Sequence, residues 1–117
     1  MSRRANKSSA DGQLPKSAPL FAALGDATRL RLIAALCAEG ALSIAQLTSG
    51  VDVSRQAVTK HLHVLAGAGL VRNVKVGRER LWEFERAQLD EARQWLDLIA
   101  LQWELAVKRL KLAVEGA

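Results

Sequence analysis

The chain has 117 residues, half of them hydrophobic, and carries 17 Lys and Arg against 12 Asp and Glu for a formal net charge of +5. That length suggests one domain, the apolar content excludes a wholly disordered chain, and no apolar run is long enough to cross a bilayer. The lone cysteine, Cys37, cannot close an internal disulfide, which fits a reducing compartment.

The first residues, MSRRANKSSADGQ, are charged and lack the apolar stretch of a secretory signal. Residues 1–15 are expected to form a flexible basic tail, and the absence of an export signal points to the cytoplasm. Residues 16–115 read as one folded domain. A first helix is expected to start near Lys16 or Ser17, with Leu20, Phe21 and Leu24 on its apolar side and Gly25 as its stop. Asp26 is placed to cap a second helix, ATRLRLIAALCAEG, whose inward stripe is read as Leu30, Ile33, Ala34 and Cys37. Gly40 closes it. Ser43 opens a short third helix, followed at capping-box spacing by Gln46. Residues 49–53 make a turn, and Ser54 caps a fourth helix.

That fourth helix, SRQAVTKHLHVLAGAGLV, has two characters. Val58, Leu62 and Leu65 recur at helical spacing and belong in a core. Arg55, Gln56, Thr59, Lys60 and His63 share the other side, while His61 lies nearer the apolar side as a half-buried packing residue. Gly69 suits the left-handed residue past a helix end, with Leu70 folding back onto the last turn. LVRNVKV and ERLWEFE then flank Gly77 and Arg78, which predicts a β-hairpin over 70–85.

From Gln88 to Val114 there is no Gly and no Pro, which predicts one long helix. Trp95, Ile99, Trp103, Ala106 and Leu110 form one apolar row, and Leu98, Leu101, Leu105 and Leu112 another. One row suffices to pack a surface helix against its own core. A second row left in water marks an interface. The expectation is a homodimer through this helix, at Leu98, Leu101, Leu105 and Leu112, with Leu20 and Phe21 of the first helix helping.

The charge is unevenly placed. Residues 54–80 hold Arg55, Lys60, Arg72, Lys75, Arg78 and Arg80 against a single acid, Glu79, and the rest of the chain is balanced. A concentrated basic segment on a helix and an adjoining hairpin favours a polyanion.

Two helices joined by a short turn, the second with a polar side, make a helix-turn-helix. Leu47, Val51, Val53 and Val58 are apolar where the two helices must pack. Thr48 stands where a small residue is usual. Asp52 stands where glycine is common, a position asking for the left-handed conformation that Asp adopts at some cost. With the stretches LGDATRLRLIAAL, SRQAVTKHLHVLAGAGLV and VGRERLWEF, the chain from about Ala18 to Val114 resembles the ArsR/SmtB family of bacterial transcriptional regulators. The resemblance implies a mainly α fold with a β-hairpin wing, a winged helix-turn-helix dimerised through its terminal helices. It makes helix 54–68 the recognition helix.

Facing a major groove, Gln56 suits adenine, and Arg55 suits guanine or a phosphate. Thr59 and Lys60 reach bases or backbone, Ser54 offers its hydroxyl to a phosphate, and His63 touches backbone. Arg72, Lys75, Arg78 and Arg80 on the wing would contact phosphates, with Arg78 at the tip positioned for the minor groove. The expected partner is a double-stranded, pseudo-palindromic operator bound by a homodimer, without membrane or cofactor. Many family members sense metals through paired cysteines at the start of the third helix. The aligned positions here are Ser43 and Ala45, neither of which supplies a thiolate. Cys37 is read as a small buried hydrophobe. No nucleophile–base set or glycine-rich phosphate loop suggests an enzyme. The leading expectation is a dimeric repressor. The alternatives are the same repressor released by a small-molecule or thiol-redox inducer, and a winged helix that binds proteins and not DNA.

Overall fold

The computed structural model describes the backbone of residues 9–116, and side chains from residue 17 onward. The elements run α1 (Ser9–Leu24), α2 (Ala27–Glu39), α3 (Ile44–Ser49), α4 (Arg55–Gly67), β1 (Val71–Val76), β2 (Glu79–Phe84) and α5 (Ala87–Glu115). The first helix opens at Ser9 and not near Lys16, taking in residues 9–15 of the expected tail. Pro15 and Pro19 are carried inside it, although each removes an N–H from the ladder. The remainder of the expected tail, residues 1–8, lies outside the described residues.

Three N-caps form as the sequence suggests. Asp26 Oδ2 accepts from the Arg29 N–H at 3.0 Å, and Ser54 Oγ accepts from the Ala57 N–H at 3.1 Å. At Ser43 the capping box is complete: Ser43 Oγ accepts from the Gln46 N–H while Gln46 Oε1 accepts from the Ser43 N–H. Each cap satisfies a donor that the helix itself cannot, worth about 1 kcal/mol. The turn from α3 to α4 departs from expectation at Asp52, because among the described residues no residue other than glycine has positive φ. Spread over residues 50–54, the turn reverses the chain without a left-handed residue.

The core gathers Leu32 and Leu36 of α2, Leu47 of α3, Val58, Leu62 and Leu65 of α4, Leu70, Val71 and Trp82 of the hairpin, and Leu20, Ala23 and Ala92 of the terminal helices. The stripe assigned to α2 is displaced. Leu32 and Leu36 are buried, whereas Leu30, Ala34 and Cys37 face outward. This helix is apolar around most of its circumference, so periodicity alone cannot fix which side turns inward. Cys37 is accordingly an exposed thiol and not a buried hydrophobe.

The hairpin pairs antiparallel from Val71↔Phe84 to Val76↔Glu79. Gly77 has φ +62° and Arg78 a negative φ, the pattern of a type II′ turn, whose handedness matches strand twist. Leu42 adds a one-residue third strand, exchanging both backbone hydrogen bonds with Trp82 (3.0 and 2.7 Å). This anchors the hairpin to the loop that enters α3.

α5 spans 29 residues, about 44 Å. Its first half packs on α1, where Ala92 is buried and the rings of Phe21 and Trp95 sit 5.4 Å apart. Beyond that the two expected rows are both uncovered: Trp103 is 68% exposed and Leu110 66% in one, Leu101 51% and Leu112 61% in the other. Within the two rows Trp95, Leu98 and Ala106 are half-buried and the other members are exposed. Leu20, expected at an interface between copies, is 2% exposed and belongs to that core.

α4 ends in a Schellman motif. Leu70 N–H donates to Leu65 C=O (2.9 Å), Gly69 N–H donates to Ala66 C=O (3.0 Å), and Gly69 has φ +77°. A Cβ at Gly69 would also lie 2.6 Å from Gln88 Cγ. Gly69→Ala is therefore expected to destabilise the protein by about 2 kcal/mol in urea unfolding. Adding Gln88→Ala should recover only part of that loss, because the backbone strain persists.

Candidate nucleic-acid interface

Burial of Val58, Leu62 and Leu65 decides what α4 presents. Arg55, Gln56, Lys60 and His63 are exposed on the opposite side, and Thr59 is half-buried at its edge. Thr59 Oγ1 donates to the Arg55 carbonyl (2.9 Å), which leaves its oxygen to accept but no proton to give. Ser54 Oγ is spent as an acceptor on its cap and keeps its hydroxyl proton for an outside acceptor. The His63 ring lies 6.3 Å from that of Trp82, so it borders the hairpin.

Along a strand, side chains alternate between faces. Val71, Asn73 and Lys75 share a face with Arg80, Trp82 and Phe84 across the ladder. That face is buried at its base and turns polar and basic toward the tip. Arg72 is on the other face, opposite Glu83. It pairs there with Glu83 and with Glu85 (3.4 Å), and these carboxylates, Glu83 first, raise its pKa further. Grouped in sequence with the basic residues of the wing, Arg72 is set apart from them in space and already neutralised.

The remaining cations differ. Among the described residues, Arg55, Lys60, Lys75, Arg78 and Arg80 have no ion-pair partner. Lys75 and Arg80 are paired directly across the hairpin. Two like charges at this position destabilise a sheet. Arg55, Arg78 and Arg80 line one open cleft of about 550 Å³ between the start of α4 and the hairpin. The helix and the hairpin, adjacent in sequence, thus bring Arg55, Arg78 and Arg80 to a common surface.

Asn73 lines the same cleft, together with Ser43 and Ala45. Asn73 is uncharged and so stands outside the basic set that the sequence marks on the hairpin; its place two residues before Lys75 on the alternating face is the available signal. Ser43 Oγ is engaged in its capping box. Among the described residues no three His, Cys, Asp or Glu side chains come together as a metal-ligand set, and no helix is long and apolar enough to cross a membrane. His61 is half-buried as expected, with Nδ1 3.1 Å from Arg29 Nη1.

The Lys75–Arg80 opposition makes a stability prediction. Lys75→Glu places a carboxylate opposite Arg80 and is expected to stabilise the protein by about 0.5 kcal/mol in urea unfolding. A loss of stability would show that the two cations do not repel.

Residues 24–74 match the model of a family described as a helix-turn-helix domain. The chain is 36% identical to the uncharacterized HTH-type transcriptional regulator YuzN of Bacillus subtilis (strain 168), over 60% of this chain and 83% of that protein. Among solved structures it is similar to an ArsR-like transcriptional regulator from Rhodococcus sp. RHA1, at a TM-score of 0.78 and 35% identity, covering 87% of this chain and 95% of that one. It also shares the fold of Mb0332 from Mycobacterium bovis, described as a homodimeric winged helix-turn-helix DNA-binding domain, at a TM-score of 0.59 and 23% identity over 92% and 94% of the two chains. With the helix-turn-helix, the hairpin wing and the long terminal helix all in place, the chain belongs to the ArsR/SmtB family of winged helix-turn-helix proteins and is a DNA-binding transcriptional regulator, not an enzyme.

Proposed function

We propose that the protein acts as a homodimeric repressor on a pseudo-palindromic duplex site. The convergence of three unpaired arginines, Arg55, Arg78 and Arg80, on one cleft between helix and hairpin carries this reading. α4 enters the major groove, where Gln56 and Arg55 meet base edges and Lys60, Ser54, Thr59 and His63 meet bases or backbone. Lys75 and Arg80 grip phosphates, and Arg78 at the turn reaches toward the minor groove. Arg72 contributes no contact, since its charge is held by Glu83 and Glu85.

The unit that does this is residues 16–115, working in the cytoplasm on the nucleoid. The exposed apolar side chains of α5, among them Leu101, Trp103, Leu105 and Leu112, support pairing with a second copy, with Phe21 of α1 alongside. A twofold axis there presents two α4 helices to half-sites about one helical turn apart. Repression follows when the bound dimer keeps polymerase off overlapping DNA.

Binding to a duplex selected from a random pool should weaken steeply with salt. If both protomers place Lys60, Lys75, Arg78 and Arg80 on phosphates, the log–log slope approaches about −7, and Arg78→Ala reduces its magnitude by about 2. Gln56→Ala should instead lose about 1–3 kcal/mol of discrimination at one base pair per half-site while leaving random DNA unaffected. Identical behaviour of the two variants on selected and random DNA contradicts the assignment of α4. Sedimentation of a Leu101→Asp, Leu105→Asp variant should show a monomer whose binding to the selected duplex is lost.

A further inference from the structure

Arg29 ties three helices together at one point. Its backbone N–H donates to Asp26 Oδ2 at the start of α2. Its Nε donates to the Ala23 carbonyl (2.6 Å) and its Nη2 to the Ala22 carbonyl (3.4 Å), in the last turn of α1, where carbonyls lack intrahelical partners. Its Nη1 lies 3.1 Å from His61 Nδ1 on α4, one residue from Lys60. A guanidinium only donates, so as a hydrogen bond this last contact uses a lone pair on Nδ1, which the Nε2–H tautomer of the ring supplies.

A second partner waits beside the same nitrogen. Asp26 Oδ2 is 3.9 Å from His61 Nδ1. The Arg29 N–H, above all, holds the Asp26 carboxyl below its usual range, so it stays ionised in weak acid. From α2 the ring is faced by Asp26 and Arg29. Among the described residues of α1, the Ala22 and Ala23 carbonyls at this corner are bonded to Arg29, and the inward neighbours on α4, Val58, Leu62 and Leu65, are apolar. A proton on Nδ1 removes the acceptor that Arg29 uses, sets imidazolium against guanidinium, and gives Asp26 a donor.

We infer that Arg29 is a positioning residue for DNA reading, holding α4 against the end of α1 through unprotonated His61, and that protonation of His61 hands the ring to Asp26 and lowers DNA affinity. The inference rests on the reading of α4 as the groove-facing helix. Because α1 borders the proposed dimer surface, a shift at this corner alters both half-site contacts together.

The test is the pH dependence of affinity for a duplex selected from a random pool at pH 8. His63, a second imidazole, faces the DNA side, so the measurement is made in a His63→Gln background. From about pH 8 to about pH 5, the range in which histidines take up protons, affinity should fall about tenfold. Adding His61→Gln, whose amide oxygen accepts from Arg29 at every pH, should flatten the profile while the salt slope stays unchanged. A flat profile in the His63→Gln protein, or an equal fall in the double variant, overturns the inference and leaves the DNA reading standing. Failure to select any duplex at pH 8 overturns both.

Discussion

The structure depends on one packing constraint: Val58, Leu62 and Leu65 of α4 must be buried against α2, α3 and the hairpin. Each of these side chains contributes about 2 kcal/mol by leaving water, and each would leave a void if truncated. Their spacing fixes the rotation of the helix about its axis. Once that rotation is fixed, Gln56, Lys60 and His63 cannot face inward. The Schellman turn at Gly69 then sends the chain directly into β1, so the hairpin starts from the end of the same helix whose polar side it extends. The one-residue bridge of Leu42 to Trp82 holds the hairpin at its base. Position follows from burial, and the basic surface is a consequence of position.

That surface is assembled against local electrostatic preference. Lys75 faces Arg80, and Arg55, Arg78 and Arg80 share a cleft whose only acid is Glu79. Arg72, Arg86 and Arg29 have acceptors on the protein, whereas Arg31, Arg93, Lys108, Arg109 and Lys111 resemble the cleft arginines in having no ion-pair partner among the described residues. Local rules are most often broken where a protein meets a ligand. Under the proposed function, the missing counter-charges are those a phosphate backbone would supply. The apolar length of α5 is a second departure, since a helix with leucines on two sides is incompletely satisfied within one chain.

Much of this was legible in the residues. All three N-caps, the glycine at the end of α4, the hairpin turn and the long final helix follow from short-range rules that need only neighbouring positions. What was not legible needed partners distant in sequence. The inward side of α2 is not fixed by its sequence because alanine and leucine surround the helix, and the core position expected for Cys37 belongs to Leu32 and Leu36. Arg72 is expected among the phosphate-contacting residues of the wing because only the register reveals Glu83 beside it. Asn73 carries no charge to mark it in the sequence, although strand alternation puts it on one face with Arg80 and Trp82. The contact of Arg29 with His61 spans 32 positions in sequence and leaves no periodic trace.

The central claim, that one side of α4 and the basic face of the hairpin tip form a single DNA-contacting surface, is tested most directly by nuclear magnetic resonance of the labelled protein titrated with a selected duplex. The account predicts that side-chain signals of Arg55, Gln56, Arg78 and Arg80 shift together, with Asn73, while those of Arg72 and the outer side of α2 around Leu30 and Cys37 stay in place. Shifts centred on α2 or Arg72, with α4 and the hairpin tip undisturbed, would contradict it.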